Sequence, residues 1–233
     1  MKTSKEQLIN RGYLDNQQVF DDINQALIYL DDHQAVNRSK AINTLLTKNY
    51  SPDLLIDQLI VLLTKEKALY TKIYLCQYLS HVSIKGIEAL IPYLGKIGNN
   101  QYHQLPDSIS LKKSYPLPRD IVARTLGKCD KRYLSHLLKQ VNYPDNTVVY
   151  ELIDAIGYLL FSNQEYDNQE TYQCLKTVFD RHKDDELMVF KVVTSLSMCN
   201  QATKLLEFIK SYHYSNIINQ NVERSIKIIN NRK

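Results

Sequence analysis

Tryptophan is absent from the 233-residue chain, and glycine, proline and cysteine are scarce, at six, six and four residues. So few helix breakers argue against an ordinary mixed domain and for helices joined by short turns. Cys76, Cys129, Cys174 and Cys199 form no CxxC pair and have no histidine at zinc-finger spacing. Disulfides and structural zinc are therefore not expected, and the thiols read as reduced, in a cytoplasmic protein. The longest purely apolar run is "LIVLL", Leu59–Leu63, far below the roughly 20 residues that span a bilayer. The opening "MKTSKEQLINRGYLDNQQ" lacks the apolar stretch of a secretory signal. HExxH, GxSxG, GxxxxGK[ST] and GxGxxG are all missing. No catalytic residue, metal or cofactor is assigned on these grounds, and no membrane association is expected.

What the chain does contain is helical periodicity. With 44% hydrophobic and 23% charged residues, wholesale disorder is excluded. "YPLPRDIVARTLGKCD" (115–130), "DNTVVYELIDAIGYLL" (145–160) and "DDELMVFKVVTSLSMC" (184–199) each carry an apolar series at helical spacing. Setting Thr125, Ala155 and Ser195 in one column gives separations of 30 and 40 residues. "RSKAINTLLTK" (38–48) and "KIYLCQYLS" (72–80) join the column through Thr44 and Tyr78, 34 residues apart. A second apolar helix follows each of these, at 51–63, 84–94, 132–141, 169–179 and 201–210, and a terminal helix at 216–231 reads as an unpaired cap. A helix pair cannot bury its apolar stripe alone, so neighbouring pairs must stack.

The expected fold is all-α: an α-solenoid of about five stacked antiparallel helix pairs in a single domain over 1–233, with residues 1–16 poorly ordered. Ser51-Pro52, Asp145 and Asp184/Asp185 stand where N-caps belong, and the acids read as caps rather than catalytic groups. Tyr70, Tyr74 and Tyr78 form a stripe that reads as packing.

The segment 115–130 resembles the first helix of a bacterial HEAT repeat, matching at Pro116, Arg119, Leu126 and Gly127 and departing at Tyr115 and Pro118. Residues 145–159 match at Asp145, Val148, Ala155, Ile156 and Gly157, with Val149 in place of the arginine. The resemblance covers about residues 35–215. It implies a HEAT or armadillo-like right-handed superhelix with a concave surface, and fixes no activity. It also implies that Arg119 occupies a structural arginine position.

Between Tyr78 and Thr125 the column spacing jumps to 47 residues. The excess is "GKIGNNQYHQLPDSISLKKSYPLP", in which Pro106, Pro116 and Pro118 forbid a regular helix. Its Tyr102, His103, Leu105, Ile109, Leu111 and Tyr115 are more apolar matter than a floppy linker carries, so 95–119 is expected as an ordered loop on the helices. It opens a basic stretch, 112–139, with eight cations against Asp120 and Asp130. Lys112, Lys113, Arg119, Arg124 and Lys128 supply charge and donors, and Tyr102, His103 and Tyr115 supply flat surfaces; these eight are the candidate binding residues. Arg124 also stands one turn from Asp120, at ion-pairing distance. A polar stretch, 162–170, reads as a solvated turn.

The leading functional expectation is a non-enzymatic scaffold for a protein or peptide partner. The alternative is nucleic-acid backbone binding through 112–139, as in DNA-repair members of the HEAT-like group. A third reading, a lyase or modifying enzyme, would turn first to Cys129 and His103. The His-Glu dipeptides of the iron-binding HEAT-like hydroxylases do not occur.

Overall fold

The computed structural model describes residues 4–15, 18–164 and 169–232. Among them every regular element is a helix and no strand forms. The chain divides into two compact units, residues 1–90 and 91–233.

The first unit holds α1 (Lys5–Asn10), α2 (Ile23–Tyr29), α3 (Ala35–Thr47), α4 (Ile56–Lys65), α5 (Leu69–Leu79) and α6 (Ile84–Leu90). Helix α1 lies within the segment expected to be poorly ordered; a capping box between Ser4 and Gln7 starts it. Residues 1–3 and 16 fall outside the described residues. Helix α3 packs against α2 and α5, and α4 against α5 and α6. Ile42, Leu45, Leu59, Leu63, Leu75 and Leu79 form the core. Pro52 opens a short 3-10 turn before α4, but Ser51 makes no side-chain cap bond. Tyr78 is buried and donates to the Tyr50 carbonyl, while Tyr70 packs edge-on against Tyr13, so both ends of the tyrosine stripe serve packing.

One buried ion pair organises this unit. Glu66, between α4 and α5, accepts from Arg38 Nε and Nη2 at 2.8 Å each and from the Lys67 and Ala68 N–H groups. Burial works against its charge, but Arg38 and those N–H groups hold the carboxyl below its ordinary range. A depressed folded-state pKa contributes stability above the usual carboxylate range and loses it as pH falls. Glu66→Gln is expected to cost about 1.5 kcal/mol at pH 7 and to flatten the acid limb of the stability curve, measured by urea unfolding at stepped pH.

The second unit begins with a 3-10 turn, Ile91–Tyr93, and a long non-helical loop. Helices α7 (Ile121–Leu126), α8 (Leu134–Lys139), α9 (Asn146–Ser162), α10 (Gln169–Arg181), α11 (Glu186–Leu196), α12 (Thr203–Lys210) and α13 (Asn216–Asn230) follow. Within this unit α7, α9, α11 and α13 pack in series, and α8, α10 and α12 lie against α9, α11 and α13 in turn. Every residue of α11 from Leu187 to Leu196 is buried. Asp145 and Asp185 accept from Thr147 and Met188 N–H groups as N-caps, whereas Asp184 does not cap. Of the polar 162–170 stretch, residues 165–168 lie outside the described residues.

Helix α7 starts at Ile121, directly after the loop expected over 95–119, and Asp120 caps it on Ala123 N–H at 2.7 Å. Arg119 therefore precedes the helix instead of lying on it.

The repeat column has a chemical signature here. Ser195 donates to the Ile153 carbonyl at 2.9 Å, and Ser225 donates to the Val193 carbonyl at 3.0 Å. In each case the hydroxyl meets the carbonyl two residues before the column position of the preceding helix. The column thus runs on to Ser225, into the helix that the sequence leaves unpaired.

Candidate functional site

Loop 95–119 is held at both ends by one carboxylate. Gly95, at φ 74°, ends the preceding turn in a conformation that suits glycine. Its N–H donates to Asp120 Oδ2 at 3.2 Å, Gln101 Nε2 donates to the same oxygen at 2.8 Å, and Asp120 Oδ1 caps α7. Burial raises the Asp120 carboxyl, while these N–H donors pull it back down. The expected Asp120–Arg124 pair does not form. Arg124 instead turns its Nε to the Pro118 carbonyl, because the Asp120 oxygens are occupied.

Further along, the loop is pinned to the helices. Tyr115 is 3% exposed, with its hydroxyl 3.0 Å from Ser195 Oγ and directed at the Asp154 carbonyl. Its ring stacks on Phe161, and its tip fits against Gly157, where a Cβ would collide with it. The expectation that Tyr115 presents a flat surface is therefore corrected: the ring is an anchor, buried because its hydroxyl finds partners there. Arg224 of α13 donates through Nη2 to the carbonyls of Lys112 and Ser114, at 3.1 and 2.6 Å.

Between this loop and α9, α11 and α13 lies a cleft of about 300 Å³. Ile109, Leu117 and Phe190 give it apolar walls; Lys112, Arg119 and Tyr102 stand on the loop side. Arg119 lies over the Tyr102 ring at 4.4 Å and donates to its hydroxyl at 3.0 Å, and Tyr102 meets Phe190 edge-on.

The cleft floor is a polar ladder. Four residues before the column stand Glu151, Lys191 and Asn221; one residue before it stand Asp154, Thr194 and Arg224. Successive helices bring these positions together. Lys191, 1% exposed, donates to Glu151 Oε1 at 2.7 Å and Asp154 Oδ2 at 2.8 Å. Burial works against its charge, but Asp154 and Glu151 hold its pKa above the ordinary lysine value. Burial pushes the Glu151 carboxyl up to about 7, against the pull of Lys191 and with a push from Asp154. Asn221 donates to the Phe190 carbonyl and to Thr194 Oγ1.

Of the eight sequence-derived candidates, Tyr102, Lys112 and Arg119 line this cleft. His103 is exposed on a shallow hollow over residues 101–108. Lys113 is exposed beside the cleft without lining it. Lys128 borders a separate hollow with Lys131 and Asn163, and Arg132 pairs with Asp130 at 3.0 Å. The basic stretch is thus divided among several places. Cys129 is buried, and burial pushes its thiol to about 12, which deprives it of a ready thiolate.

Sequence reasoning missed Glu151, Asp154, Lys191, Asn221 and Arg224. The available signal was a lysine inside "LMVFKVVTSL" and an acid inside "TVVYELIDAIGYLL", charges in otherwise core-facing helices. Comparison of the chain with protein-family models, curated proteins and solved structures gave no match.

Proposed function

We propose that the chain is a non-enzymatic binding scaffold of HEAT-like helix pairs, and that the cleft beneath loop 95–119 receives a segment of a protein or peptide partner. The observation that carries this reading is the cleft's construction. A wall held by Tyr115 and Asp120 faces three helices across about 300 Å³, with apolar sides and cations at its mouth. That volume is at the small end of ligand sites and suits one or two side chains of a docked segment. Leu111, 96% exposed between the cleft and Lys113, offers an apolar extension on the loop crest. Serial packing of α7, α9, α11 and α13 supports the HEAT-like description of this unit.

A random peptide library selected on the full chain tests the proposal. Selected peptides should lose at least about tenfold in affinity for Leu117→Asp, as a buried anchor does, and stay within about twofold for Lys128→Gln. Binding indifferent to Leu117→Asp would move the partner site elsewhere. Salt-dependent duplex DNA binding that disappears when Lys112 and Lys113 both become Gln would replace this reading with a nucleic-acid one.

A further inference from the structure

We propose that the inner end of the cleft is an oxyanion site centred on Arg224, with Lys112 and Arg119 at its mouth. This deepens the reading of the cleft as the recognition site and rests on it for the partner, though not for the anion itself.

Arg224 is only 8% exposed, yet it pairs with no carboxylate. Nη2 is engaged by the Lys112 and Ser114 carbonyls, while Nε and Nη1 have no hydrogen-bond partner. Buried cations in folded proteins are paired, because an uncompensated one forfeits its hydration. The other buried cation among the described residues of this unit shows the contrast: Lys191 has both Glu151 and Asp154 within 2.8 Å. Those two carboxylates are thus already committed. Cleft and floor together hold Lys112, Arg119, Lys191 and Arg224 against Glu151 and Asp154, an excess of positive charge that favours an anion. Guanidinium N–H groups match carboxylate and phosphate oxygens best.

Arg224 lines the cleft while its Nε and Nη1, shut off from solvent, stay unpartnered. An anion seated on Arg224 would neutralise the charge behind the two loop carbonyls and steady the loop. The ligand chemistry is therefore an oxygen anion: a carboxylate or a phosphate, carried on the docked segment or free in solution.

The experiment uses the full chain at low ionic strength, titrated calorimetrically with inorganic phosphate and, separately, with glutarate. Saturable binding of either is expected, with slower amide exchange over residues 105–115 on saturation. The tighter of the two identifies the preferred anion. Arg224→Gln should weaken binding at least about tenfold, the loss expected when hydrogen bonds to a charged group are removed. Arg224 also holds the loop, so a second variant carries the argument if the first loosens the fold. Lys112→Gln changes only an exposed side chain, leaves the Arg119–Tyr102 contact in place, and should weaken binding several-fold. Absence of saturation by either anion, or affinity unchanged in both variants, overturns the site. Peptides that bind through Leu117 but carry no acidic or phosphorylated residue, and ignore Arg224→Gln, sink this inference and leave the scaffold reading standing. Anion binding without any peptide binding does the reverse.

Discussion

Lys191→Met should destabilise the protein by about 3–5 kcal/mol at pH 8, the cost of breaking a buried pair by removing one partner. Methionine fills much of the same space, so the loss is electrostatic: Glu151 and Asp154 are left facing each other without the ammonium that holds them at 2.7 and 2.8 Å. The deficit should depend on pH. In the native protein the Glu151 carboxyl is already raised from the ordinary 4.5 to about 7. A raised folded-state pKa means that the folded form holds the proton more tightly, so this contribution is present below about 4.5 and is lost as pH rises through about 7. Without Lys191 the Glu151 carboxyl climbs further, and the variant recovers part of its stability at pH 5 by taking up a proton. Urea unfolding at both pH values measures this. A deficit below about 1 kcal/mol, or one equal at pH 5 and pH 8, would show that the pair contributes little beyond packing.

Gly157→Ala should be the second large effect, and its sign is the informative part. In an exposed helix interior, glycine to alanine gains about 1 kcal/mol. Here the new Cβ would stand 2.6 Å from Ser195 Oγ and collide with the Tyr115 hydroxyl. Neither neighbour can retreat easily, because Ser195 donates to the Ile153 carbonyl and the Tyr115 ring stacks on Phe161. Overpacking of this kind costs about 1–3 kcal/mol, and loss of the Tyr115 hydrogen bonds adds to it. The expected result is a net loss of about 2–3 kcal/mol, with faster amide exchange over 105–116. Tyr115→Phe introduced alongside should recover only a small part of the loss, since it removes the hydroxyl but leaves the ring Cζ at 2.5 Å and Ser195 Oγ at 2.6 Å from the new Cβ.

The helices were legible because their signals are local. The caps Asp145 and Asp185 and the 3.6-residue apolar stripes each lie within a few turns of chain, and the column through Thr125, Ala155 and Ser195 is those local stripes repeated. The start of α7 was legible as well, because Pro116 and Pro118 forbid a regular helix before it, and Asp120, three residues before Ala123, is the cap that opens it. Half of the candidate site was legible too: Tyr102, Lys112 and Arg119 stand out in a proline-rich insertion. Its floor was not. Lys191 finds carboxylates 40 and 37 residues away, and Arg224 reaches a carbonyl 110 residues away. Whether a charge on such a helix faces solvent or a partner depends on elements that no short window contains.

The clamp from Arg224 to Ser114 also sets a timetable for biosynthesis. Loop 95–119 leaves the ribosome about a hundred residues ahead of the arginine that latches it. During that interval the carbonyls of Lys112 and Ser114 lack the guanidinium that holds them, so the loop is fastened only by its contacts to the earlier helices. Completion of the cleft therefore follows α13 instead of accompanying the helices that precede it.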